Sequence, residues 1–449
     1  MDTTIARTRA EEALARHFET AASVLPGAGR VAEARRRAMH AIESAGLPHR
    51  RLEAWKYTDL RAKLKTVFAP ASGTALRTDD AVLADLLGRT LDALACVRLV
   101  FVNGRLVRTF GLEGAGEGRD VRISSLEAVL GATSSDWLER GFGSERLSDD
   151  PIMALNVAFA ADGAVIDIAD GARLERPIHI VSIADTSAPV ALATRHLIRF
   201  GAASRAVILE SHVEAGGGAS QATAATLLDV GEGAEAHHLK HVAIAGSSVH
   251  LGRIDVKVSK GALCRCFQLT AGAGLLRNES RVSFVGPDAR LDLSGAMLGR
   301  GDDHIDTTLV VDHATPGCES RELFKAVLDD RARAVFQGKV IVQPDAQKTD
   351  GKQMAQALML SPEVEFDSKP ELEIYADDVA CGHGSTAAEL DPALLFYLRS
   401  RGIPLSEARA MLIESFVGEA LDKVEDAALR QALMDVATAW LGQQPSAKR

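Results

Sequence analysis

Apolar residues recur at helical spacing at both ends of this chain and in short clusters between them. Near the start, Leu14, Phe18 and Ala22 fall at i, i+4 and i+8, the stripe of an amphipathic helix. A second helical stretch, "GRVAEARRRAMHAIESAGLP", stops at Gly46 and Pro48. In "RRLEAWKYTDLRAKL", Leu52 and Trp55 are the residues expected to anchor against a neighbour. The pattern then changes. "RLVFVNGRLVRTF" sets Asn103-Gly104 between two apolar runs, the signature of a tight hairpin. From about Ala154 to Tyr375 the sequence breaks into β-like pieces of about five to seven residues, such as "PIHIVSI", "RAVILESHV" and "AVFQGKVIVQ". Gly, Asp, Asn or Pro separate them, and helical spacing is almost absent. The end is helical again: Leu394, Leu395 and Leu398 share a side, and Ser406 is placed to cap "EARAMLIESFVGEAL". Met411, Leu412 and Phe416 line one face of that helix, and the tail "GQQPSAKR" reads as frayed.

Many short strands with even turn spacing fit either a sandwich or barrel, or a β-solenoid. Tight corners such as "GEGAE" and "VGPDARL" favour the solenoid, although no hexapeptide or nonapeptide repeat is visible. The expected organisation is mainly β: an N-terminal helical region over 1–95, a β core over 96–386 and a C-terminal helical region over 387–449. A chain of 449 residues exceeds what one core usually serves, which agrees with several units.

Composition narrows the function classes. Aromatic residues are 4%, too few for surfaces that stack bases or sugars. A formal net charge of −10 without a basic stripe argues against nucleic acid and anionic membranes as partners. Cys96, Cys264, Cys266, Cys318 and Cys381 are odd in number and scattered, so free thiols in a reducing compartment are expected. The N-terminus carries no leader-like apolar segment, and no apolar run reaches the ~18–20 residues of a membrane span. The expected location is cytoplasmic. No phosphate loop, dinucleotide fingerprint or nucleophile elbow is present.

Cys381 and His383 carry the sharpest chemical signal. On an extended strand, residues i and i+2 share a face, so thiolate and imidazole converge. That pair suits zinc, iron or an iron–sulfur species, but two ligands make half a site. A nucleophile with its base, or plain packing beside a glycine turn, fits the same residues. Cys264 and Cys266 read as a metal or redox pair or, preferably, as small inward-facing residues. His237 and His241 suggest a solvated or half-buried ladder rather than a metal site. Asp302, Asp303, His304, Asp306, Asp312 and His313 fit a calcium site, a glycoside-cleaving pair or, most simply, solvated turns.

Five segments in order resemble one family: "EAWKYTDL", "PIMALNVAFAADGAVIDIADGARLERPIHIV", "AVFQGKVIVQPDAQKTDGKQMAQALMLS", "SKPELEIYADDVACGHGSTAAELD" and "LFYLRSRGI". The chain is similar to the SufB/SufD family of iron–sulfur cluster assembly proteins, and its Cys381-x-His383-Gly384 run resembles the SufD branch. Gly382 stands where that branch usually has Ser, and Ser385 where it usually has Ala; neither change removes a candidate ligand. The resemblance implies a right-handed parallel β-helix flanked by helical ends, and a scaffold rather than an enzyme. It implies pairing with a SufB-like subunit through the β-helix ends, with Cys381 and His383 as metal ligands at that interface. It also implies docking of a SufC-like ABC ATPase on the C-terminal helical region, through Leu395, Phe396, Tyr397, Arg399, Arg401 and Gly402. Iron or an iron–sulfur cluster would be held transiently at the shared interface, and no cofactor is expected on the isolated chain, which can also pair with itself. Two rival readings are a β-helix enzyme acting on polysaccharide through the Asp302–Asp312 cluster and a partner-free metal-binding homo-oligomer. The absent export signal and the scarcity of aromatics count against the first.

Overall fold

In a computed structural model, residues 7–71, 76, 78–111, 119–131, 141–142, 147, 150–244, 246–272 and 274–442 are described. The middle of the chain is a parallel β-solenoid of about eight turns. Each turn gives one strand to each of two sheets. The first sheet takes Ile178–Asp185, Arg205–Ala215, Glu235–Ala243, Leu263–Ala271, Arg290–Gly299, Glu319–Leu328, Asp350–Met359 and Ala380–Ala388. The second takes Ala164–Ile168, Val190–Phe200, Ser220–Val230, Val249–Val258, Leu275–Phe284, His304–His313, Arg333–Val342 and Glu365–Ile374. Arg205 pairs with Glu235, Glu235 with Leu263 and Leu263 with Arg290, so one turn consumes about 30 residues. That period is long and carries no fixed consensus, which is why no short repeat shows in the sequence.

The starting rung is closed by antiparallel strands. Val97–Val102 and Arg105–Phe110 form the hairpin expected around Asn103-Gly104, whose φ values of 51° and 78° make the left-handed pair of a type I′ turn. Val121–Ser125 runs antiparallel to Ala164–Ile168 on the other sheet. At the far end Ala380–Ala388 and Glu365–Ile374 are the last strands of their sheets, and no further strand among the described residues pairs with them.

Strand parity builds three apolar layers. The lumen holds the inward rows, including Ile208, Ile254, Leu293, Phe324 and Phe336. The outer face of the first sheet is covered by Asp80–Leu87 and by the C-terminal helices Leu405–Leu421 and Ala427–Gly442. The outer face of the second is covered by Arg9–Ala21, Arg30–Ala45 and Pro151–Phe159. "EAWKYTDL" locks onto that second face. Trp55 is buried under the guanidinium of Arg277, 4.1 Å from its ring centre, and Leu52 is exposed instead of anchoring. Arg277 is held by Glu279 and Asp306, while the Thr58 hydroxyl bonds both Asp306 and His304. Arg253 extends the chain of charges from Glu279 at 2.8 Å to Asp150 at 2.9 Å.

Several local expectations are corrected. Most solenoid strands are eight to eleven residues long, because buried polar side chains interrupt the apolar runs that the pieces were read from; "RHLIRF" is the end of Val190–Phe200. Pro151–Phe159 is a helix inside the stretch read as strands. It is buried on nearly every side, so it shows no amphipathic period, and Asp150 caps it by accepting from the Met153 amide at 3.1 Å. Ser406 lies inside a helix that begins at Leu405 after Pro404, so it is not the cap. Ala21 rather than Ala22 joins Leu14 and Phe18, and Ile413, Val417, Ala420 and Leu421 form the buried stripe that Met411 was expected to share. The residues 443–449 lie outside the described residues.

Burial of imidazoles gives the fold a pH signature. His196, His241 and His313 are each pushed down to about 4, chiefly by desolvation. Below about 6.5 the unfolded chain binds protons that the native chain refuses until about pH 4, so native stability falls as pH drops across that window. The slope is on the order of 1.4 kcal/mol per pH unit for each histidine. Urea unfolding between pH 7 and pH 4 should show a steadily falling midpoint, with a shallower fall in His196→Gln; a flat profile would contradict the assignment.

Candidate functional site

The terminal rung brings Cys381 and His383 together. Asp350–Met359 and Ala380–Ala388 pair in parallel, with Gly351 opposite Cys381 and Gln353 opposite His383. Parity then directs Cys381, His383 and Ser385 toward the lumen and Gly382 and Gly384 outward. Cys381 is half-buried against the lumen core, and His383 is exposed at the open end. Ser385 Oγ donates to Ser368 Oγ across the lumen at 2.8 Å, tying the last strands of the two sheets. Outside, Met354 lies over Gly384; a Cβ there would come within 2.7 Å of Met354 Cε. Burial holds the Cys381 thiol above its ordinary range, while the Gly351 amide and the Lys352 ammonium favour the thiolate. Thiol and imidazole thus share one face of an edge strand, with the space above them uncovered by any described residue.

The remaining sequence candidates disperse. Cys264 and Cys266 are buried inward-facing residues with sulfurs 3.7 Å apart. His237 and His241 are buried, neither solvated nor half-buried. Glu235, His237 and Glu425 do place one ligand atom each within 4.8 Å of the others, in the manner of a cation site. Arg265 Nη1 already sits 3.2 Å from Glu235 and 2.9 Å from Glu425, so a guanidinium supplies the positive charge, and the cluster clamps the helices to the solenoid. In the aspartate cluster each carboxylate has its own partner: Asp302 pairs with Arg331, Asp303 accepts from the Arg300 amide, Asp306 pairs with Arg277, and Asp312 accepts from Gln343. No two of these form an acid–base pair across a cleft.

The helix Pro392–Ser400 follows the terminal strand directly. Asp391 caps it by accepting from the Ala393 amide at 2.7 Å, and none of its residues is buried. Phe396 is 75% exposed and Tyr397 53%, with Leu395 half-buried beside them. Arg401 donates to the Tyr397 hydroxyl at 2.9 Å, and Gly402 ends the element at φ 85°. No helix among the described residues is long and apolar enough to cross a membrane.

Comparison with known proteins now bears on this rung and helix. Residues 182–416 match the family described as SUF system FeS cluster assembly, SufBD core domain, and residues 9–180 match the SufBD protein N-terminal region. The chain belongs to the SufBD family. It is 29% identical over 392 residues to the iron–sulfur cluster assembly protein SufD of Escherichia coli (strain K12), covering 87% of this chain and 88% of that protein. A SufBD family protein of Synechocystis is 29% identical over 407 residues, 87% of each chain. One from Mycobacterium leprae is 35% identical over 198 residues, 42% of this chain and 50% of that protein.

Two residues of this SufBD chain escaped the sequence reading. Register stacks Glu322, Gln353 and His383 on consecutive strands of one inward column. Glu322 is 2% exposed and Gln353 3%, and all four of their polar side-chain atoms lack a hydrogen-bond partner. Desolvation pushes Glu322 up to about 7; the nearby Ser320 hydroxyl, held at 3.0 Å from His313 Nε2, and Arg321 only partly oppose it. The available signal was parity: in "ESRELFKAVL", Ser320 and Glu322 are in phase with Phe324, Ala326 and Leu328, which face the lumen. Because the folded chain holds the Glu322 proton up to about pH 7 and the unfolded chain releases it near 4.5, stability is intact below 4.5 and lost as pH rises through 7. Glu322→Gln should therefore match the native chain in urea near pH 4.5 and exceed it at pH 8, by on the order of 1–3 kcal/mol. Equal stabilities at pH 8 would show that the carboxylate is already compensated.

Proposed function

We propose that this chain is a non-catalytic scaffold subunit of iron–sulfur cluster assembly whose open solenoid end pairs with a SufB-like chain. Cys381 and His383 supply part of a site for iron or the nascent cluster, which passes through as cargo, and the partner supplies the rest. The observation that carries this reading is the uncapped terminal rung, where a thiol and an imidazole share the lumen face of an edge strand. Two ligands leave a cation's coordination incomplete, and a free strand edge accepts another strand through its own backbone groups. Names of the relatives support the assembly role.

The Pro392–Ser400 helix is the docking segment for a SufC-like ATPase in this reading. Phe396 and Tyr397 provide the apolar anchor, with Leu395, Arg399, Arg401 and the chain reversal at Gly402 framing it. ATP chemistry then belongs to the partner, in keeping with the missing phosphate loop. The terminal edge also offers pairing to a second copy of this chain when the SufB-like partner is absent.

Mixing experiments separate these outcomes. Light scattering of the chain with SufB-like and SufC-like proteins should give a discrete mixed complex that displaces self-pairing. Phe396→Ala with Tyr397→Ala should abolish retention of the ATPase and leave the SufB-like pairing intact. Cys381→Ser with His383→Ala should assemble normally yet build little cluster, read from the visible absorbance on reconstitution. Undiminished cluster formation by that folded, complexed double variant would sink the ligand assignment, and failure to form any mixed complex would sink the scaffold role.

A further inference from the structure

The lumen beneath the terminal rung contains a buried polar cluster of its own. Other buried carboxylates among the described residues are matched: Glu210 is hydrogen-bonded by His212, His238 and Thr226, and Glu279 and Asp306 hold Arg277. Glu322 is the exception among these, and it sits directly below Gln353, whose amide is equally unpartnered. The Gln353 side chain reaches across the lumen to the opposite sheet. Its Nε2 and Oε1 lie 2.2 and 2.6 Å from where a Cβ on Gly338 would stand, so only glycine leaves it room. Gly351 opens a second gap in the neighbouring column: a Cβ there would be 3.5 Å from Ser320 Oγ and 3.6 Å from Cys381 Sγ. Four orphaned polar atoms on adjacent rungs, beside two glycines, are what a missing ligand leaves behind.

The chemistry of the donors says which ligand. Glu322 offers a carboxylate and Gln353 an amide oxygen, with the Ser320 hydroxyl in the neighbouring column. Hard oxygen donors with a single negative charge suit a partly hydrated divalent cation of the manganese or ferrous type, not a soft metal. Such an ion would supply the positive charge that Glu322 lacks, and Gln353 would fill its next position. His383 stands one strand above Gln353 in the same column, about 4.8 Å further along the axis. The entrance is the open end, past His383.

We propose that Glu322 and Gln353 form an interior subsite for a hydrated divalent cation, a holding position one rung inside Cys381 and His383. Its use as a store of ferrous iron for the terminal rung rests on the scaffold reading above; its existence does not.

Metal-free, full-length chain titrated with Mn2+ tests the subsite, the unbound ion being followed by its EPR signal. The native chain should take up about one equivalent, and Glu322→Gln should weaken uptake by roughly tenfold or more. Asp302→Asn should leave it unchanged, since that carboxylate lies on the surface against Arg331. Mn2+ should raise the melting temperature of the native chain and of Asp302→Asn, and leave that of Glu322→Gln where it was. A metal-free melting temperature of Glu322→Gln at or above the native value shows that this variant is folded. No uptake by the native chain, equal uptake by Glu322→Gln, or loss of uptake in Asp302→Asn would each overturn the proposal. Assembly with the SufB-like and SufC-like proteins is scored separately: a Glu322→Gln chain that loses Mn2+ but still assembles upholds both readings, and a native chain that binds Mn2+ but never assembles fails only the scaffold role.

Discussion

In-register parallel pairing is the constraint on which everything else in this molecule depends. Side chains alternate along a strand, so each position faces either the lumen or the outer layers. With the register kept from turn to turn, that choice is inherited along the axis. One inward column reads Ile208, His238, Cys266, Leu293, Glu322, Gln353 and His383; its neighbour reads Ala206, Ala236, Cys264, Leu291, Ser320, Gly351 and Cys381. Cys381 and His383 are therefore the last members of two columns that cross most of the solenoid. A one-residue slip anywhere in the first sheet would turn both away from the lumen.

The same geometry explains how a largely apolar interior tolerates charge. Long parallel strands bury polar side chains that cannot leave the column, so partners must come from adjacent rungs or from the facing sheet. Glu210 finds its imidazoles on its own strand and the next, and Lys240 finds Asn278 at 3.1 Å. Outside the lumen, Arg277 joins the N-terminal Trp55 and Thr58 to the second sheet, and Glu425 joins the C-terminal helices to the first. The ends of the chain are thus fixed to opposite faces of the solenoid by ionic contacts under apolar cover. Since breaking one partner of a buried pair costs more than the pair contributes, these contacts fix arrangement more than they add stability.

How much of this was legible in the sequence varies by element, for physical reasons. The Asn103-Gly104 hairpin was readable because its dihedrals demand those residues, and the terminal helices because their apolar stripes have a period. The solenoid was readable as many strands with tight corners. Strand lengths were not, because residues such as Arg195, His212 and Lys240 look like loop chemistry until the rung that partners them is known. Pro151–Phe159 was missed because burial on all sides erases amphipathic spacing. At the site, Cys381 and His383 were visible from residue type and parity, and the family resemblance gave them a context. Glu322 and Gln353 were invisible because their neighbours are distant in sequence: only the register, which composition does not encode, puts them under His383.

The two edges of the last rung differ in a way that bears on how far assembly can proceed. Glu365–Ile374 carries Glu365, Asp367, Lys369, Glu371 and Glu373 on its outward positions and Pro370 in the middle. Charges and proline are the features that keep an edge strand from recruiting another chain. Ala380–Ala388, "ACGHGSTAA", has neither acidic residues nor lysine nor proline, only small side chains around one thiol and one imidazole. One edge is defended and the other is bare. A stack of turns that ended on two bare edges would invite repetition without limit; ending on one of each leaves this end of the described solenoid with one bare edge, at the strand that carries the thiol and the imidazole.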